Sequence, residues 1–139
     1  MIDYGTLPKQ LPDRATIVFD GHCGFCTRSV DWLSAIDRHD RLDFVASQVP
    51  GVREEMGMTD EEAQDSAWCF GDDGARVGGA RAIALGVAVA MGNRAPYVPW
   101  KIPGGAWVMG TSYRFIADRR GRLPGTTPWC EQHSGSCSS

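Results

Sequence analysis

The stretch Ala15–Thr16–Ile17–Val18–Phe19–Asp20–Gly21–His22–Cys23–Gly24–Phe25–Cys26 decides how the chain is read. Its first five residues are apolar and partly β-branched, which suits a buried strand, and Asp20–Gly21 is a turn signal. A helical pattern follows at once, because Cys26, Val30, Leu33 and Ile36 recur at steps of four, three and three. That spacing predicts one apolar stripe on an inner face, with Arg28, Asp31 and Arg38 outside. The cysteines therefore fall where a strand hands over to a helix, and this placement says more than their spacing does.

At a helix N-terminus the backbone N–H groups lack intrahelical partners and the dipole presents partial positive charge. A thiolate in that field has its pKa lowered from about 8.5 into a range of roughly 3.5–7.5. Cys23 occupies that position, and Cys26 lies one turn on, on the stripe expected to face the core. Three residues apart on a helix, the two sulfurs can bond with little backbone movement. The pattern predicts a thiol-disulfide oxidoreductase in which Cys23 is the exposed nucleophile and Cys26 resolves the mixed disulfide.

Rival readings use the same residues. A lone Cys-x-x-Cys is also half of a zinc site, with Cys69, Cys130, His133 or Cys137 supplying the rest. Against zinc, there is no second Cys-x-x-Cys, and Cys137 stands in a Ser-rich tail. The thiols could equally serve a redox-dependent partner-binding module without turnover, with Trp100, Trp107 and Trp129 forming its surface or packing in the core. Asp20 is a candidate acid that exchanges a proton with Cys26, or else the residue that caps the helix or forms the turn. His22 is a candidate stabiliser of the Cys23 thiolate or substrate contact, or else an exposed loop histidine. Phe25 is expected to cover the site or to pack in the core.

Working outward, Leu42–Ala46 alternates briefly as a second strand and is closed by Pro50–Gly51. Val52–Asp65 is polar and Glu-rich, with Thr59 and Glu62 spaced as a capping box for a short helix. Ala67–Phe70 is a third strand, Gly71–Gly74 a hairpin turn and Ala75–Val77 a return strand. An apolar helix is expected over Ala80–Met91 and, past a loop with Pro96, Pro99 and Pro103, a last helix over Ala106–Arg119. Val108, Met109, Tyr113, Ile116 and Ala117 supply the apolar positions of that last helix. The order predicts an α/β protein, a thioredoxin-like mixed sheet flanked by helices with an additional C-terminal helix. An arm over 1–14, one domain over 15–130 and a flexible Ser-rich tail over 131–139 complete the expected organisation.

Composition narrows the function classes. With 139 residues the chain suits a single domain. Fourteen Lys and Arg against seventeen Asp and Glu leave a net charge of −3, which removes a whole-protein electrostatic case for nucleic acid or an anionic membrane. Arg119, Arg120 and Arg122 form a small basic cluster, expected to be a solvated helix end. The ten-residue apolar run at Ala82–Met91 falls short of the roughly 20 residues a bilayer needs. Met1–Ile2–Asp3–Tyr4 has no basic n-region and no apolar core precedes Pro8, so a secretory signal is not expected. Five cysteines, an odd number at low density, fit a reducing cytoplasm better than a stapled secreted scaffold. Cys69 is expected to be a buried filler, and the gap between Cys130 and Cys137 permits a bridge.

The chain resembles the thiol-disulfide oxidoreductase DCC family, named for an Asp-x-x-Cys-x-x-Cys motif that here is Asp20, Cys23 and Cys26. The likeness runs from Ile17 through Trp68–Cys69–Phe70, Asp73–Gly74 and Gly79–Ala80–Arg81–Ala82. It continues to Tyr113–Arg114–Phe115–Ile116–Ala117, Arg120, Arg122–Leu123, Gly125 and Cys130. It implies a thioredoxin-like fold and thiol-disulfide exchange; the exchange reading itself expects a protein or small-molecule thiol or disulfide as substrate and no bound cofactor or metal. Tyr113, Arg120 and Gly125 carry over as family positions, Tyr113 expected in the core with its hydroxyl at the rim and Arg120 paired with a carboxylate. Two departures stand out. His22 replaces the acidic or small residue usual in the family. Gln64–Asp65–Ser66–Ala67 also lacks the proline that thioredoxins hold in cis opposite the cysteines, where the backbone pairs with substrate; without proline a cis bond costs about 2.5–4 kcal/mol and is not expected.

Overall fold

The computed structural model describes residues 4–5, 7–72, 74–119 and 128–132. Four strands form one mixed sheet: β1 (Ala15–Phe19), β2 (Leu42–Ala46), β3 (Trp68–Gly71) and β4 (Arg76–Gly78), in the order β2-β1-β3-β4. β1 pairs parallel with β2, Ala15 opposite Leu42 and Phe19 opposite Ala46, and antiparallel with β3. β3 and β4 form the expected hairpin. The parallel pair needs a crossover, and α1 (Gly24–Ile36) provides it. This is the thioredoxin-like arrangement read from the sequence.

Alternation along β1 builds the layers. Ala15 and Ile17 join Leu33, Leu42, Cys69 and Val77 in a cluster closed by α4 (Ala80–Met91), whose Ala82, Leu85, Ala88 and Val89 are fully buried. Val18 points the other way, into a cluster with Val52, Met58, Ala63 and Trp68. That second layer comes from α2 (Val52–Met56) and α3 (Asp60–Asp65), two short helices where one polar segment was expected. Gly57 separates them in the left-handed region at φ 69°, and Thr59 and Glu62 form the predicted capping box at the start of α3. The N-terminal arm touches both layers: Tyr4 stacks on Trp68 with ring centroids 5.8 Å apart, and Leu7 and Leu11 pack against the α4 cluster.

Beyond α4 the proline-rich segment is more ordered than a loop. A 3₁₀ turn at Ala95–Tyr97 leads into α5 (Val98–Lys101) and then α6 (Gly105–Asp118). The last described element is the short α7 (Trp129–Gln132), which takes in Glu131 and Gln132 of the expected tail. Arg120, Gly125, His133 and Cys137 lie outside the described residues. So do the expected end of the basic cluster and most of the Ser-rich tail.

The apolar stripes of α1 and α6 differ from expectation. On α1 the buried residues are Thr27 and Leu33, while Cys26, Val30 and Ile36 are half-buried. Thr27 can be buried because its hydroxyl donates to the Cys23 carbonyl at 3.0 Å and accepts from the Trp129 N–H at 3.0 Å. On α6 no described residue is buried, and Val108 and Ile116 are exposed. The helix stands off the sheet and turns part of its apolar side toward an open cleft.

Candidate active site

The turn from β1 into α1 is built by Asp20. Its Oδ1 accepts the His22 N–H at 3.0 Å, and its carbonyl accepts the Cys23 N–H at 3.2 Å, closing a tight Asx-type turn. Asp20 thus forms the turn and leaves the helix cap to another group. Cys23 takes that position: its backbone is extended, and its Sγ accepts the Cys26 N–H at 3.1 Å. A sulfur in the place usually filled by a serine or aspartate oxygen receives one of the helix's unpaired donors, which favours the thiolate.

Cys23 and Cys26 are both half-buried. Cys26 opens onto a cleft of about 640 Å³ that Asp20 and Phe25 also line. The stripe expected to take Cys26 into the core instead turns it toward this cleft. His22 is exposed at the turn. The structure brings Asp20, Cys23 and Cys26 together and leaves His22 at the surface beside them.

Sequence reasoning missed the residues that brace the turn. Gln48 accepts the Gly21 N–H at 2.9 Å through Oε1 and donates from Nε2 to Asp20 Oδ1 at 2.8 Å. The parallel register carried two residues past Phe19–Ala46 puts Gln48 level with Gly21, so strand pairing was the available signal. The C-terminal segment braces the same turn. The Cys130 N–H donates to the Gly21 carbonyl at 2.9 Å, and Trp129 packs edge-on against Phe19 with centroids 6.3 Å apart. Gly21 permits this approach, since a Cβ there would stand 2.6 Å from Cys130 Sγ and 2.8 Å from Ala46 Cβ. Cys130 is disulfide-bonded, and Cys137, to which the sequence gap permits a bridge, lies outside the described residues.

Opposite the cysteines, the segment before β3 differs from that of thioredoxins as expected: among the described residues no peptide bond is cis. The Ala67 N–H donates to the Tyr113 hydroxyl at 3.1 Å, and the Ala67 carbonyl accepts the Gly79 N–H at 3.0 Å. Tyr113 is half-buried rather than in the core where it was expected, because α6 stands off the sheet. Next to it Arg114 donates to Asp65 Oδ1 at 2.8 Å and to the Asp65 carbonyl at 3.1 Å. Tyr4 and Ser66 donate to Asp65 Oδ2 at 2.6 and 3.0 Å. Burial acts to raise the Asp65 carboxyl, but these hydrogen bonds and the Arg114 charge outweigh it and hold the group below its usual range.

Cys69 is chemically separate. It is fully buried in β3, and burial pushes its thiol up to about 12, as expected of a filler. Among the described residues no cluster of three or more His, Cys, Asp or Glu could hold a metal ion. Also among them, no helix is long and apolar enough to cross a membrane.

No curated protein and no solved structure matches the chain. The family model for DCC1-like thiol-disulfide oxidoreductases matches residues 17–126. That span takes in β1 from Ile17 on, the cysteine turn, the other three strands and the helices α1 to α6 around the cleft, and the chain belongs to the DCC1-like thiol-disulfide oxidoreductase family.

Proposed function

We propose that the protein is an enzyme of dithiol–disulfide exchange, with Cys23 as nucleophile and Cys26 as resolving thiol. The observation that carries this reading is the Cys26 N–H directed at Cys23 Sγ at the N-cap of α1. The Cys23 thiolate attacks one sulfur of a substrate disulfide, forming a mixed disulfide and releasing the other sulfur as a thiolate. Cys26, once deprotonated, attacks Cys23 Sγ. The Cys23–Cys26 disulfide forms and the second substrate sulfur leaves as a thiolate. Two electrons pass from the protein dithiol to the substrate, and the reverse sequence oxidises a substrate dithiol.

Asp20 is the proton acceptor for Cys26 in this scheme, since both line one cleft and Gln48 fixes the carboxylate. His22, exposed beside Cys23, meets the incoming substrate and, when protonated, supports the thiolate. In the cytoplasmic setting read from the sequence, a small-thiol pool would re-reduce the pair.

Replacing each cysteine separates the roles. Cys23→Ser abolishes exchange, measured as reduction of a model disulfide and as alkylation followed by mass. Cys26→Ser keeps the first step and accumulates the mixed disulfide at Cys23. Full exchange in Cys23→Ser would refute the mechanism.

A further inference from the structure

The cleft beside Cys26 lies between α1, α4 and α6 and points to a substrate class. Its volume, about 640 Å³, falls within the roughly 300–1,000 Å³ usual for small-molecule sites. Ile83, Ala84 and Val87 of α4 face Trp100, Met109 and Ile116 across it, so the wall is almost wholly hydrocarbon. The charged residues among the lining are Asp20 and Arg28, both from the cysteine end of the chain's first crossover. A substrate carrying several charges would lose hydration against this wall without partners to replace it.

Main-chain docking at Ala67 is closed off. An extended peptide added opposite the cysteines needs an open N–H and C=O on the segment before β3. At Ala67 Tyr113 takes the first and Gly79 the second. The cleft, by contrast, reaches the cysteine motif at its resolving thiol, because Cys26 and Phe25 form part of its wall.

We propose that the substrate is a low-molecular-weight disulfide with an apolar body, held in the cleft with its sulfur–sulfur bond at Cys23 and Cys26. This rests on the exchange reading above. Substrate and protein dithiol trade two electrons and two protons as in that cycle, so no further reactant enters.

The test compares lipoamide, a neutral cyclic disulfide, with oxidised glutathione, which carries several charges. Wild type is expected to favour lipoamide in kcat/KM. Ile116→Lys, at a position already 43% exposed, lowers the lipoamide-to-glutathione ratio by about tenfold, because the wall becomes polar and gains a charge opposite to that of oxidised glutathione. Met109→Lys does the same if the first variant folds poorly by circular dichroism. Binding is read independently in Cys23→Ser, where lipoamide quenches tryptophan fluorescence saturably because Trp32 and Trp100 line the cleft. Equal ratios in wild type and both variants would overturn the substrate class, as would preferred turnover of a peptide disulfide. Saturable quenching with no oxidation of wild-type Cys23 and Cys26 by either disulfide would instead refute the exchange reading, and the substrate assignment with it.

Discussion

Two helices of similar length hold opposite positions in the molecule. α4 buries Ala82, Ala84, Leu85, Gly86, Ala88, Val89 and Ala90 against the sheet. α6 buries none of its described residues and exposes Trp107 by 73% and Phe115 by 58%. α4 is therefore held by apolar area, and α6 by polar tethers at Tyr113 and Arg114. Burial fixes a helix along its whole length, whereas a few hydrogen bonds fix it at one level and leave the rest standing away. The same asymmetry gives the cleft a firm wall on α4 and a lightly supported one on α6.

The largest effect expected from this contrast is on stability. Leu85→Ala removes a fully buried side chain from the α4 side and costs about 2–5 kcal/mol. Phe115→Ala removes a larger side chain from α6 and stays within about 0.5 kcal/mol. Urea denaturation of both variants measures the difference directly. Comparable losses would show that α6 is packed as tightly as α4, and the two-sided account of the cleft would fail.

The next effect concerns the tether. Asp65→Asn keeps the shape but removes the charge that gathers Arg114, Tyr4 and Ser66, and costs about 1.5–3 kcal/mol. The pH dependence has a definite sign. The folded-state pKa of Asp65 is depressed, so its contribution is present above the unfolded value of about 3.9 and is lost as pH falls through the lower folded value. Glu62 is also held low: burial opposes this, and the Thr59 cap together with Arg76 outweighs it. Wild type therefore loses stability as pH falls below the ordinary carboxylate range, and Asp65→Asn loses less over that window because the Asp65 share is gone while that of Glu62 remains. An identical acid limb in both proteins would remove Asp65 as the anchor of α6.

This contrast also marks what the sequence could reveal. β1, β2 and α4 were legible to the residue because their apolar runs are short, bounded by turn residues and buried as a block. The capping box at Thr59 was legible because it is local. The cysteine turn was legible as a motif, but its bracing was not. Gln48 and Trp129 meet Gly21 and Thr27 across 27 and 102 positions, and no local pattern encodes such a meeting. α6 misled for a different reason. A 3.6-residue period states that one side is apolar, not that anything covers it. The open side of α6 and the cleft it borders follow from how Tyr113 and Arg114 hang the helix, a tertiary fact.

The smallest effect separates the two carboxylates near Arg114. Asp118 sits one turn further along α6, 3.7 Å from the Arg114 guanidinium, with its side chain 65% exposed. An exposed i, i+4 pair contributes about 0.3–0.5 kcal/mol and is screened by salt. Asp65 is 20% exposed and bound to Arg114 at 2.8 Å, so it answers little to salt. Asp118→Asn should therefore shift the urea midpoint slightly at low ionic strength and not at all near 1 M salt, while the Asp65→Asn deficit persists at both. If the two variants behave alike, the hold on α6 runs along the helix itself. The link from Arg114 to the segment before β3 then does not position that wall of the cleft.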